Sequence, residues 1–191
     1  VTADKGKVFV LLPKKGIYQT DEGKSKKVIG NDTVWGNVQQ IINYNSNLYL
    51  LDTNQGQIFK YLVAENGYGS ASAYFKEGQE IDLEGVNSMA IDGSVYLAFN
   101  KEIVKFTAGL RDGFQTSYPK DDYQIDKIIA DKKLEKVYVW DKKNAAVYIL
   151  AKDGAYEKEV ASSLLKTAND VIVYDAGIYL LLDNKIYKIA L

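Results

Sequence analysis

The 191-residue sequence contains no histidine, no cysteine, two prolines, one methionine and a single arginine, Arg111. Without cysteine there is no disulfide framework, no thiolate nucleophile and no zinc–thiolate site. Without histidine there is no Ser-His-Asp triad and no imidazole ligand for a metal. Lys and Arg number 24 against 25 Asp and Glu, a formal charge of -1. That balance gives no concentrated positive surface, so nucleic acid is not expected as a partner. No apolar run approaches the roughly 20 residues of a membrane-spanning helix. The longest, such as 178–182, are strand-sized. No signal peptide is readable, since the first apolar run begins only at Val8. The chain does not open with Met, and we expect it to be a piece excised from a longer protein.

What is present is a repeat. Apolar residues make up 47% of the chain, enough to fill a core and to exclude intrinsic disorder. They are concentrated in short alternating segments at 8–11, 48–51, 95–98, 137–140 and 178–181. The starts lie 40, 47, 42 and 41 residues apart, and each segment carries an aromatic at its second position: Phe9, Tyr49, Tyr96, Tyr138 and Tyr179. β-branched and aromatic residues at period two specify strands. A second strand follows each after a polar turn, at 17–19, 58–61, 103–106, 147–150 and 186–189. The turns supply Asn, Asp and Gly, the residues that tight hairpins require.

Another apolar stretch precedes each hairpin, at 40–42, 88–91, 127–130 and 171–174, with 2–4 as a truncated first copy. A more polar strand follows at 27–29, 72–75, 114–118 and 156–160. Val160, Leu164 and Leu165 also stand at helical spacing, so a short helix can replace or follow the last of these. Four strands per unit, repeating at this period, describe the blades of a β-propeller. The fold class expected is therefore all-β, a small propeller of five blades. The blades fall at about 1–33, 34–80, 81–120, 121–165 and 166–191 of a single domain, with the first and last incomplete.

The hairpin motif resembles NHL and YWTD-type propeller repeats. The resemblance rests on Leu48-Tyr49-Leu50-Leu51-Asp52, then Asn54 and Ile58, and on Val137-Tyr138-Val139-Trp140-Asp141, then Asn144 and Val147. No YWTD tetrapeptide is present. Propellers of this kind serve as extracytoplasmic sensors, as adhesive or scaffolding modules, and sometimes as hydrolases or lyases. The resemblance thus implies a fold and leaves the function open.

Two sets of candidate site residues emerge. Gln40, Asn87, Asp126 and Asp170 align where each inner strand begins. Oxygen ligands converging at one channel mouth would suit Ca²⁺ or Mg²⁺. Lactonase-type propellers, which the architecture resembles, hold an axial divalent metal on Asn, Asp and Glu. The bland alternative is that strand starts need hydrogen-bonding caps, and no cofactor is expected on balance. Asp4, Asp92, Asp131 and Asp175 form a further aligned set that shapes turns. The second candidate surface is aromatic: Trp35, Tyr44, Tyr68, Tyr118 and Tyr123 lie in connections, where such residues anchor interfaces. The expected function is a non-enzymatic binding, sensor or protein-interaction domain, taking a protein or small polar ligand at a propeller face. It would belong to a larger extracytoplasmic or membrane-anchored protein. The alternatives are a metal-dependent, lactonase-like hydrolase and a structural or oligomerising spacer.

Overall fold

Alternating side chains closed by two-residue turns produce antiparallel hairpins, and the turns here have the backbone that such closure demands. The computed structural model describes residues 1–79 and 81–191, so the blade boundary expected at residue 80 lies outside them. Asn45 and Ser46 both take positive φ, 50° and 65°, as do Lys5 and Gly6, Glu22 and Gly23, and Ala108 and Gly109. Both central residues at positive φ is the turn whose twist matches that of the flanking strands.

Two compact units result. The first comprises Val1–Glu84 with Ala108–Leu110, the second Gly85–Thr107 with Arg111–Leu191. In the first unit, β1 (Thr2–Asp4), β2 (Lys7–Leu12), β3 (Gly16–Asp21) and β4 (Lys24–Ile29) form one antiparallel sheet in chain order. The second sheet joins β5 (Val38–Tyr44), β6 (Asn47–Asp52) and β7 (Gln57–Tyr61). Its chain then makes a small extra hairpin, β8 (Val63–Ala64) with β9 (Gly67–Tyr68), before β10 (Ser72–Ala73) pairs back onto β7.

The third sheet runs β11 (Ser88–Ile91), β12 (Ser94–Ala98), β13 (Ile103–Thr107) and β14 (Leu110–Asp112). The fourth runs β15 (Lys127–Ile129), β16 (Val137–Asp141), β17 (Ala146–Leu150) and β18 (Tyr156–Ala161). A five-residue helix α1 (Ser163–Thr167) follows, capped by Ser162, whose side chain accepts from the Leu164 N–H. The fifth sheet has three strands: β19 (Asp170–Tyr174), β20 (Gly177–Leu182) and β21 (Lys185–Ala190). The fold is the five-bladed β-propeller that the repeat implies. The truncated first strand and the missing last one are as the sequence suggests, and the short helix follows the fourth blade's outer strand.

One expected strand is displaced. The outer strand of the third blade forms at Leu110–Asp112, whereas the sequence pattern places it at 114–118. The turn at Ala108 and Gly109 sends the chain straight back after β13. Phe114 is then free to bury its ring edge-on against Tyr96, 5.5 Å between centroids.

Packing follows from strand alternation. On the central strand of a blade, the second and fourth residues point one way and the first and third the other. Phe9 and Ile17 of the first sheet cluster with Ile41, Leu48, Leu50 and Tyr61 of the second. In the other unit Tyr96, Ala98 and Ile103 cluster with Ile128, Val137, Val139 and Tyr148. Tyr138, Trp140, Val147 and Ile149 cluster in turn with Val171, Val173, Ile178 and Leu180. Each aliphatic so buried contributes about 1.5–3 kcal/mol.

Candidate functional site

The β8–β9 hairpin is the one embellishment of the blade pattern in the first unit, and it roofs a cleft. The cleft encloses about 400 Å³ between the hairpin, the first sheet and the β5–β6 turn. Its apolar wall is Phe9, which meets Tyr68 edge-on with ring centroids 6.3 Å apart. Its polar rim carries Lys5, Lys7 and Lys26 against Asp4 and Glu65. Lys5 donates to the Ser46 hydroxyl at 3.2 Å, which donates to Asp4 at 3.2 Å. Among the described residues no ion pair engages Lys7 or Lys26. The buried Asn43 side-chain amide also lines the cleft. Burial, with the Asp4 carboxylate adding to it, pushes the Tyr68 hydroxyl above the ordinary phenol range.

A second depression of similar volume adjoins the first, sharing Val28 and Tyr68 with it. Trp35 Nε1 donates to the Tyr61 hydroxyl at 2.7 Å, and that hydroxyl donates to Asp32 at 2.9 Å. Burial and then the bond to Asp32 push the Tyr61 hydroxyl strongly upward, so it acts as a fixed donor at neutral pH. The hairpin closes through Glu65-Asn66, and Gly67, with φ of 134°, already pairs with Ala64.

The aromatic candidates divide between the units. Trp35 and Tyr68 pack on the first unit's core, and Tyr68 lines both depressions. Tyr44 stacks edge-on against Tyr49. In the second unit Tyr118 and Tyr123 pack on the core with centroids 4.2 Å apart. All five are half-buried.

The oxygen-ligand candidates are each engaged locally. Asn87 donates to Asn100 at 2.9 Å and to the Ile125 carbonyl at 2.6 Å. Asp126 accepts from the Lys142 N–H at 2.7 Å and the Gln124 amide at 3.1 Å. Asp170 pairs with Lys127 at 2.5 Å and caps the Val171 N–H. Gln40 sits in β5 opposite Leu51 and has a partner of its own. A divalent cation at Asp170 would have to displace the Lys127 ammonium. Among the described residues no group of three or more His, Cys, Asp or Glu stands together as a metal site. Two of the four turn aspartates cap their own turns, Asp92 accepting from the Ser94 N–H and Asp131 from the Lys133 N–H, whereas Asp4 accepts from the Ser46 hydroxyl.

No helix among the described residues is long and apolar enough to cross a membrane. No protein-family model and no curated protein matches the chain. Among solved structures it is similar to a streptogramin B lyase, at 16% identity and a TM-score of 0.64, over 99% of this chain and 64% of that one. It is also similar to a chain of a nidogen/laminin complex, at 15% identity and a TM-score of 0.56, over 92% and 72%. A third is YCF48 bound to a D1 peptide, at 7% identity and a TM-score of 0.59, over 94% and 58%. The chain therefore spans slightly less than two thirds of the lyase. At these identities the likeness is one of fold, and the fold is a β-propeller.

Proposed function

We propose that this chain is a non-enzymatic binding domain whose cleft beneath the β8–β9 hairpin takes an acidic segment of a partner protein. The observation that carries this reading is the cleft's rim. Lys7 and Lys26 stand beside an apolar Phe9–Tyr68 wall without an ion pair among the described residues. Unpaired ammonium groups beside an aromatic wall suit a ligand that offers carboxylates and some apolar surface. The absence of histidine and cysteine is consistent with binding rather than acyl or thiol chemistry. Two of the similar structures are complexes, one of nidogen with laminin and one of YCF48 with a D1 peptide. Placement in a larger extracytoplasmic or membrane-anchored protein belongs to the same reading.

The test is fluorescence anisotropy with a labelled Glu/Asp-rich peptide and a neutral peptide of equal length. The acidic peptide is expected to bind, more weakly as salt rises. The Lys7→Glu, Lys26→Glu double variant is expected to lose roughly tenfold or more in affinity. Equal binding of both peptides, or binding indifferent to the double variant, overturns the proposal.

A further inference from the structure

Of the asparagines in this chain, Asn66 alone is followed by a glycine. Glu65 and Asn66 form the two-residue turn between β8 and β9, and both are exposed. Hydrogen bonds hold the side-chain amides of Asn37, Asn87 and Asn144 in place. Among the described residues no hydrogen bond holds that of Asn66. Gly67 has no Cβ and its backbone turns with little resistance, so the Asn66 side chain can swing onto the Gly67 nitrogen.

The hairpin offers little to prevent this. Only Val63 with Tyr68 and Ala64 with Gly67 pair across it, and a two-stranded ribbon so short is marginal. Opening of its tip is local, because the Gly69 N–H donates to the Leu62 carbonyl at 2.9 Å and keeps the base tied. Asn45 is the natural comparison. It too is exposed in a two-residue turn, but Ser46 follows it and six residue pairs join β5 to β6.

We propose that Asn66 is a modification site, where spontaneous deamidation through Gly67 installs a carboxylate on the cleft. The Gly67 nitrogen, its proton taken by solvent base, attacks the Asn66 side-chain carbonyl carbon. A new C–N bond closes a cyclic succinimide as the bond to the side-chain nitrogen breaks, and that nitrogen leaves as ammonia with a proton from solvent. Water then adds to one imide carbonyl and the ring C–N bond breaks. The product is aspartate, or isoaspartate with the main chain routed through the side chain. The consequence rests on the reading of the cleft as a site for an acidic segment. Asn66 lines that cleft, together with Lys5, Lys7 and Lys26 and with Asp4 and Glu65. Three ammonium groups against two carboxylates leave one net positive charge, which a carboxylate at position 66 cancels. Isoaspartate also lengthens the turn by a backbone atom, and turn length sets hairpin register. Deamidation thus weakens the hold on an acidic ligand as the molecule ages.

Peptide mapping of the chain after incubation at mildly alkaline pH tests the chemistry. Asn66 should convert to aspartate and isoaspartate about tenfold or more faster than Asn45. Asn66→Gln should suppress the conversion, since its longer side chain must close a larger ring. Conversion of Asn66 no faster than that of Asn45 overturns the proposal. In the anisotropy assay, Asn66→Asp should bind the Glu/Asp-rich peptide about threefold or more weakly than Asn66→Gln at low salt. The difference should shrink as salt rises. Equal affinities overturn the effect on binding. Failure of the parent and both variants to bind the peptide overturns the cleft reading and the affinity change with it, while the conversion rates decide the chemistry on their own.

Discussion

The Asp141 carboxylate and the Tyr148 hydroxyl meet at 3.0 Å, and neither side chain reaches solvent. Asp141 also accepts from the Gln124 N–H at 3.0 Å, the Asn144 N–H at 2.8 Å and the Asn144 side-chain amide at 2.8 Å. One side chain thereby ties the entry of the fourth blade to its β16–β17 turn and to its core. Asp52 does the same in the second blade, accepting from the N–H groups of Gly36, Asn37 and Gln55. These are the aspartates that end the hairpin motif in sequence, and their work is structural.

Asp141→Ala should therefore cost more than Tyr148→Phe. The first orphans the buried Tyr148 hydroxyl and three part-buried donors and should destabilise by about 3 kcal/mol or more, a buried orphan costing roughly 1–3 kcal/mol. The second removes one donor and should cost about 1–2 kcal/mol. Urea denaturation of both variants measures the difference, and equal losses would show that Asp141 acts through Tyr148 alone.

Alkaline pH should unfold the protein earlier than its surface charge suggests. Burial pushes the Tyr118 hydroxyl up to about 12 from the ordinary 10.0, and Tyr61, Tyr96 and Tyr148 are pushed up for the same first reason. Above the ordinary phenol value the unfolded chain releases these protons while the folded chain keeps them. Stability is therefore fully present below pH 10 and falls between there and about 12. Denaturation midpoints taken across that window should fall steadily. Tyr118→Phe should flatten the slope.

Gly154→Ala should be among the most damaging single-methyl changes in the second unit. Gly154 takes φ of 100°, and an added Cβ would collide with the Gln115 carbonyl oxygen and crowd the Phe114 ring. The strained backbone and the clash together should cost about 2–3 kcal/mol. Gly113→Ala, where a Cβ meets nothing within 4 Å, is the control and should leave the melting temperature nearly unchanged.

Ca²⁺ or Mg²⁺ should leave the melting temperature where EDTA leaves it. Asp170 is occupied by Lys127, and Asp126 by the Lys142 N–H. A metal at a hundredfold excess over its dissociation constant would instead add about 2.7 kcal/mol. A rise that disappears in both Asp126→Ala and Asp170→Ala would place a cation on those residues after all.

Much of this molecule could be read before folding it. Period-two alternation with an aromatic at the second position placed the central strands at Tyr49, Tyr96, Tyr138 and Tyr179, because a strand has only two faces and each must be filled. Turn composition placed the hairpins, since Asn and Gly accept positive φ where other residues resist it. Alignment across repeats also brought out Asp126 and Asp170. It could not tell that a Lys127 ammonium would sit on one of them, because that contact joins residues 43 apart in the chain.

The sequence by itself determined the blade, its repeat and the chemistry missing from it, since those depend on local periodicity and on residue types present or absent. Only the tertiary structure decided that Tyr118 and Tyr123 stack against a core and that the β8–β9 hairpin roofs a lysine-rimmed cleft. Each depends on which surfaces meet after the chain has turned back on itself. Side-chain alternation assigns a residue to a face without saying what comes to lie against it.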